Sequence, residues 1–107
     1  MTISLICPEC GVTFDKVEKR QVFCSKAHGK RFYNLQTKRG TVIGPLLVTA
    51  RMGGRYAGVD KELAAWARKQ HDQLISQWIK EDRAAGRDAT LLMKNKMQAG
   101  WAACDVD

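Results

Sequence analysis

The sequence predicts an α+β protein that is mostly α-helical, with a β-hairpin and a helix at its N-terminus and a helical region after them. Three observations lead to this prediction. Short runs of strand-forming residues flank a pair of cysteines in the first 25 residues. Helix-capping residues and apolar residues spaced three and four apart recur after residue 25. The change of pattern divides the 107 residues into regions 1–40 and 41–107.

Three short strands are predicted in the N-terminal region. Residues 2–6 form the first strand, which leads into the cysteine pair. Residues 12–14 and 21–23 are predicted to form a hairpin, because each run is rich in Val, Thr or Phe and the polar segment 15–20 between them suits a loop.

A helix follows these strands. Ser25 has the short polar side chain that caps helix N-termini, so the helix is predicted to begin at Lys26. It is expected to run to about Lys38 and to end at Gly40, because glycine is the residue most often found just after a helix.

The C-terminal region is predicted to contain three helices. The first has Pro45 at its start and Gly53 after its end, which is the usual asymmetry of these two residues. Asp60 and Asp88 are N-caps for the other two, and Gly86 separates them. The predicted helices are a short one over 45–52, a long one over 61–85 and a last one over 89–99, with a flexible joint at 53–58.

The long helix has one broad apolar stripe, since its large apolar residues are spaced three and four apart. This stripe could be covered by other helices of the same chain, or it could form a homodimer. The residues expected at such a dimer contact are Trp66, Leu74 and Trp78.

The metal-binding signal lies in the pattern Cys7-x2-Cys10-x13-Cys24-x3-His28. A structural zinc ion takes four thiolate or imidazole ligands in a tetrahedron, and two pairs with these short gaps suit that geometry. The first pair lies in a turn eased by Gly11, and the second lies where the predicted helix begins. One structural Zn²⁺ is therefore predicted.

The sequence allows two alternatives to this set of four zinc ligands. His71 or Cys104 could replace His28 as the fourth ligand, although both lie far along the chain. A redox-active Cys7–Cys10 disulfide is disfavoured, because no βαβ pattern surrounds the pair.

The motif Cys-Pro-x-Cys-Gly at 7–11, followed by Phe23-Cys24-Ser25 and then His28 at a helix start, resembles treble-clef zinc fingers of the "FCS" kind. It is also similar to the small bacterial zinc proteins of the DNA-gyrase-inhibitor family. The resemblance covers residues 5–39. It departs from those families at His28, where they usually have cysteine, and in the length of the middle gap. The resemblance therefore implies the finger and not the gyrase target.

Composition narrows the class of function. The chain has no apolar run long enough to span a membrane and no signal peptide, so a cytoplasmic protein with reduced cysteines is expected. A zinc ion with four protein ligands has no open position for a substrate, and the chain has only two histidines for acid–base chemistry. An enzyme is not expected.

The net charge of +7 is concentrated in residues 1–40, which contain eight Lys or Arg and three Asp or Glu. Such a basic region suits nucleic acid, most simply DNA, and would make the protein a candidate regulator. The competing hypothesis is a protein-interaction module, an inhibitor or adaptor that docks on a nucleic-acid enzyme. The residues expected to contact nucleic acid are Lys16, Lys19, Arg20, Lys26, Lys30, Arg31, Tyr33 and Lys38, with Tyr33 exposed for stacking.

Overall fold

The computed structural model describes residues 3–53 and 59–104. Two strands are followed by three helices, which confirms the predicted α+β, mostly α class. Residue 2 of the first predicted strand and residues 54–58 of the predicted joint lie outside the described ranges. The elements are β1 (Ser4–Ile6), β2 (Thr13–Asp15), α1 (Lys26–Met52), α2 (Lys61–Ala85) and α3 (Ala89–Gln98).

The chain divides into two compact units. The first contains Met1–Asn34 together with Asp82–Asp107, and the second contains Leu35–Glu81. This grouping does not test the sequence division into 1–40 and 41–107, which stays a prediction. No helix in the described ranges is long and apolar enough to cross a lipid bilayer.

The hairpin has a different pairing from the predicted one. β1 pairs with β2 in antiparallel register, with Leu5 opposite Phe14. The cysteine pair is therefore the turn of the hairpin and does not precede it. The predicted pairing of residues 12–14 with residues 21–23 is wrong.

The segment after β2 explains this difference. It folds into a closed turn, in which the side-chain oxygen of Gln21 accepts hydrogen bonds from the backbone N–H groups of Val17 at 2.8 Å and Glu18 at 3.4 Å. The carbonyl of Val22 accepts a hydrogen bond from the Asn95 side chain at 3.1 Å. Residues 21–23 thus find their hydrogen-bond partners outside a sheet.

α1 is one continuous helix where two were predicted, over 26–38 and 45–52. Gly40 and Gly44 lie within it, as does Pro45. Gly40 does not adopt the left-handed conformation that ends helices; among the described glycines only Gly11, Gly86 and Gly100 have positive φ. Glycine costs about 1 kcal/mol and proline about 3 kcal/mol in a helix interior, and tertiary contacts along the helix can offset such costs.

Contacts of this kind lie in the second unit, between α1 and residues of α2. The Arg39 guanidinium lies 5.2 Å from the centre of the Trp78 ring and 3.6 Å from the Glu81 carboxylate. Beyond the C-terminal end of α1, Gly53 lies so close to Ala64 that a Cβ on Gly53 would overlap the Ala64 Cβ. These contacts extend to the residue after α1 and favour an unbroken helix.

The predicted stripe of α2 is only partly buried. Ala64 and Ala67 are buried, and Trp78 is half-buried. Trp66 remains 55% exposed and Leu63 43% exposed. The helix pair therefore leaves part of the apolar stripe on the surface.

The other helix ends agree with the sequence prediction. α2 has the predicted bounds, and the Asp60 carboxylate accepts a hydrogen bond from the backbone N–H of Leu63 at 2.6 Å. Gly86 follows α2 with a φ of 77°. Asp88 caps α3 by accepting from the N–H of Thr90 at 2.9 Å. α3 ends at Gln98, one residue before the predicted end.

The core of the first unit is built from both ends of the chain. Phe32 of α1 is 1% exposed and packs with Phe23, whose ring centre lies 5.4 Å away. Leu92 of α3 belongs to the same buried cluster, as does Cys7. The C-terminal helix therefore completes the core beneath the cysteines.

Candidate metal centre

The hairpin turn presents the first two cysteines. The carbonyl of Cys7 accepts a hydrogen bond from the N–H of Gly11 at 2.9 Å, and the N–H of Cys7 donates to the carbonyl of Val12 at 2.9 Å. Gly11 has a φ of 75°, a conformation that side chains with a Cβ rarely adopt. This tight turn directs the thiols of Cys7 and Cys10 to the same side.

The start of α1 presents the second pair. Ser25 caps the helix, since its hydroxyl accepts a hydrogen bond from the N–H of His28 at 3.2 Å. Cys24 immediately precedes the cap, and His28 follows it by one helical turn. The capped turn thus brings the Cys24 thiol and the His28 ring together, as predicted.

The four side chains converge on one point. The Nδ1 atom of His28 lies 3.1 Å from the Cys24 sulfur and 3.9 Å from the Cys7 sulfur, and the sulfurs of Cys10 and Cys24 are 3.8 Å apart. All four donor atoms lie within 4.8 Å of one another. A tetrahedral zinc ion with bonds of about 2.0–2.3 Å separates its ligands by about 3.5–3.8 Å. These residues could hold a metal ion.

The alternatives for this cluster find no support. The cysteines are free thiols, so Cys7 and Cys10 form no disulfide. Neither His71 nor Cys104 belongs to the group of donor atoms in the described residues. His71 is half-buried and its Nδ1 lies 3.1 Å from the Asp72 carboxylate, while Cys104 is exposed. Within the described residues, His28 is the fourth member of the group that could hold a metal ion.

The protein environment acts in opposite directions on two of the thiols. Burial disfavours the Cys7 thiolate, but hydrogen bonds from the backbone, foremost at Cys24, and from the His28 ring outweigh it and lower the Cys7 pKa to about 7. Burial and the neighbouring sulfurs of Cys7 and Cys10 raise the Cys24 pKa to about 11. Negative charge on one sulfur therefore opposes charge on the next, and a cation placed among them would relieve this repulsion.

A buried ion-pair network lies behind the turn. The Glu9 side chain is 2% exposed and accepts two hydrogen bonds from Arg87, from Nε at 3.0 Å and from Nη2 at 2.9 Å. Nη1 of Arg87 also donates to Asp82 at 3.1 Å. The Glu9 and Asp82 contacts raise the pKa of the Arg87 guanidinium, with the hydrogen bonds to Glu9 as the largest cause, so it stays charged.

Backbone contacts join the same two segments. The N–H of Asp88 donates to the carbonyl of Pro8 at 2.8 Å. A Cβ built on Gly11 would stand 3.1 Å from the carbonyl oxygen of Gly86, so the two backbone segments approach closely at these glycines. Asn95 adds a hydrogen bond to the carbonyl of Ile6 at 3.1 Å. The turn that carries Cys7 and Cys10 is thus fixed by residues more than 70 positions away.

The sequence prediction missed this support. Glu9 has the ordinary appearance of a solvated acidic residue in a turn, and nothing near it in sequence marks it as buried. Asp82 is one of many charged residues in the sequence of the long helix and Arg87 follows it in a short connection, so neither is marked by its sequence as a partner of Glu9. The one sequence signal for this support is the pair of glycines, Gly11 and Gly86. Each lies at a bend, and a glycine at a bend lets another backbone segment approach closely.

The residues predicted to contact nucleic acid have varied environments. Most of them are exposed, namely Lys19, Arg20, Lys26, Lys30, Arg31 and Lys38, while Lys16 is half-buried. Lys38 belongs to the second compact unit and the others to the first. A shared cavity is lined by Arg20, Lys26, Lys30 and Tyr33.

The expectation that Tyr33 is exposed is wrong. Its ring is half-buried and packs edge-on against Phe23 at 5.5 Å and against Phe32 at 6.1 Å. The helix face that meets the core is centred on Gly29 and Phe32, because Gly29 admits the Phe23 ring against the backbone. Tyr33 lies at the border of that face, so its ring is drawn onto Phe23.

Comparison of the chain with protein-family models, curated proteins and solved structures finds no significant match. The hairpin, the helix and the group of three cysteines and one histidine are compatible with a zinc-finger-like fold. That geometry carries the functional argument.

Proposed function

We propose that this chain is a small zinc-finger protein in which one structural Zn²⁺ is bound by Cys7, Cys10, Cys24 and His28. The observation that carries the proposal is the convergence of three sulfurs and one ring nitrogen within 4.8 Å. Thiolates together with an imidazole favour zinc over hard cations such as Mg²⁺ and Ca²⁺. A cysteine turn followed by a helix that carries the second ligand pair also supports a relationship to treble-clef fingers.

The metal has a structural role in this proposal and no catalytic one. With four protein ligands it joins the hairpin turn to the first turn of α1. The cysteines form no disulfide, and unpaired cysteines are most common in reducing compartments, which supports our proposal of a cytoplasmic location.

We further propose that the protein binds nucleic acid, DNA in the first instance, as a regulator. The support is the charge of the chain, +7, together with the exposed cations at the start of α1 and in the turn before it. Lys26 and Lys30 lie one helical turn apart and are both exposed. Cations placed in this way can contact the phosphates of a nucleic-acid backbone.

The test combines metal content with salt-dependent binding. Purified protein should contain one zinc ion per chain by mass spectrometry of the metal. Its affinity for a fluorescent DNA duplex should fall steeply as salt increases, because phosphate contacts release counterions. Lys26→Gln with Lys30→Gln should reduce the slope of log affinity against log salt by about 2, since each phosphate contact contributes about 0.9.

The matched control for this test is Lys61→Gln with Lys69→Gln, two exposed lysines of α2 in the second unit. This variant has the same net charge as the first but should keep the original slope. Equal losses in both variants would show that only total charge matters. No binding of the unaltered protein to DNA or RNA at low salt would refute nucleic-acid binding.

One observation favours a second candidate, a protein-interaction module such as an inhibitor or adaptor of a nucleic-acid enzyme. Trp66 is 55% exposed beside Leu63, and large exposed aromatic residues are common at protein contacts. A homodimer through the stripe that includes Trp66, Leu74 and Trp78 is the simplest case. Sedimentation of the protein and of Trp66→Ser tests it: a dimer should dissociate in the variant, and a monomeric parent protein would exclude self-association.

A further inference from the structure

A cavity of about 700 Å³ opens beside the start of α1, within the first compact unit. It lies between the turn that contains Val17 and Glu18 and the helix face that contains Lys26 and Lys30. This volume falls in the range of about 300–1,000 Å³ that is usual for binding sites of small organic groups. The cavity is distinct from the cluster of metal-binding side chains, none of which lines it.

Aromatic rings form part of the cavity wall. Phe23 and Tyr33 both line it, and their rings meet edge to face at an angle of 69°. The Tyr33 ring is also held by Phe32, so its orientation is set before any ligand arrives. A ring that is already ordered can stack on a planar group with little further loss of side-chain freedom.

The charges around the cavity suit an anion. Arg20, Lys26 and Lys30 line it, and Glu18 is the one acidic residue among its lining residues in the described chain. Arg20 is itself fixed, because its guanidinium lies 4.1 Å from the centre of the Trp101 ring. Lys26 and Lys30 are separated by about 6 Å along the helix, at 1.5 Å per residue.

We propose that this cavity, an open groove beside the start of α1, binds one unpaired nucleotide of a single-stranded nucleic acid. The base would lie against Tyr33 and the phosphates on Lys26 and Lys30. The inference rests on the proposed nucleic-acid function and adds which form of nucleic acid is bound. An unpaired base offers its ring face to an aromatic side chain, whereas a base inside a duplex has both faces stacked on its neighbours. An acidic peptide would satisfy the lysines but would leave the aromatic wall without a planar partner.

The experiment compares three probes on the zinc-loaded full chain: a fluorescent oligo-dT strand, a DNA duplex with the same number of phosphates, and a poly-glutamate peptide of matched charge. The variant Asn34→Glu places a carboxylate on an exposed residue that lines the groove. Gln98→Glu is its matched control, because it makes the same charge change on an exposed residue of the first unit that does not line the groove. Zinc content and circular dichroism verify that both variants are folded.

The expected result is that oligo-dT binds more tightly than the duplex and that Asn34→Glu weakens oligo-dT binding about tenfold, because a carboxylate in the groove repels the phosphates at short range. Gln98→Glu should change the affinity much less, since its charge lies outside the groove. If strand and duplex bind equally and Asn34→Glu weakens binding no more than Gln98→Glu does, the groove inference is overturned while nucleic-acid binding stands. If neither nucleic acid binds, both proposals fall. Suppose that poly-glutamate binds the parent protein as tightly as oligo-dT does and that the groove variant weakens both equally. The groove would then be assigned to an acidic peptide, and the nucleotide inference would be overturned.

Discussion

Replacing Arg87 with leucine should destabilise the protein far more than the loss of a surface charge. The Glu9 side chain is 2% exposed and the Asp82 side chain 11% exposed, and Arg87 bonds both. Without the guanidinium, the buried Glu9 carboxylate loses the two hydrogen bonds and the ion pair that Arg87 provides, and Asp82 loses its contact with Arg87. Removing one partner of a buried ion pair costs about 3–5 kcal/mol, against a total free energy of unfolding of about 5–15 kcal/mol for an ordinary domain.

Urea unfolding followed by circular dichroism, with zinc held in constant excess, measures this cost. For a dependence of about 2 kcal/mol per molar urea, the midpoint should fall by about 2 M. The zinc affinity should fall as well, because Glu9 lies between Cys7 and Cys10 in the turn that Arg87 holds. Both quantities are measured on the same Arg87→Leu protein.

The matched control is Arg83→Leu, an exposed arginine in the last turn of α2, four residues before Arg87. Its free energy of unfolding should change by less than about 0.5 kcal/mol, as is usual for surface substitutions. If Arg87→Leu is as stable as Arg83→Leu, the buried network does not hold the hairpin turn and the reasoning is wrong.

Three further predictions concern the metal centre and its support. Cys24→Ser should lose zinc and the fold of the first unit, whereas His28→Cys should keep both. Metal content and circular dichroism measure these two properties. A folded, metal-free Cys24→Ser protein would contradict the zinc proposal. Zinc affinity should increase with pH, because a Cys24 thiol with a pKa of about 11 must release its proton when it binds metal and Cys7 is increasingly protonated below pH 7. Zinc titrations from pH 6 to 8.5 against a competing chelator measure this dependence. An affinity that does not change with pH would count against thiolate ligation. Asn95→Leu should lower the free energy of unfolding by about 1–3 kcal/mol, since it removes the donor of the buried Val22 carbonyl and of the part-buried Ile6 carbonyl, whereas exposed Lys94→Ala should not.

The parts of the structure that local chemistry determines could be predicted from the sequence. Ser25, Asp60 and Asp88 each cap a helix as expected, because a cap is a contact between residues two or three positions apart. The same reasoning explains the convergence of the metal-binding side chains. Each pair is arranged by its own turn or helix start, and only the meeting of the two pairs depends on the fold.

The errors concern features in which distant residues compete with local preference. Gly40 and Pro45 favour a helix break by their own conformations, yet α1 continues through both, and Arg39 contacts Trp78 and Glu81 of α2. Residues 21–23 have the composition of a strand, but the side chain of Asn95 takes the carbonyl of Val22 that a strand partner would use. In both cases the deciding contact involves a residue that no local pattern points to.

The resemblance to zinc fingers covers residues 5–39, but the contacts that hold the candidate metal ligands in place extend well beyond those residues. The turn that carries Cys7 and Cys10 contains a buried carboxylate, and a buried carboxylate requires a cation, which Arg87 provides from beyond the end of α2. The backbone of the turn and of residue 22 likewise depends on donors from Asp88 and Asn95. In many small fingers zinc is the main source of folding energy. Here the C-terminal helix shares that role, so the basic surface at the start of α1 is positioned both by the metal proposed above and by the last quarter of the chain.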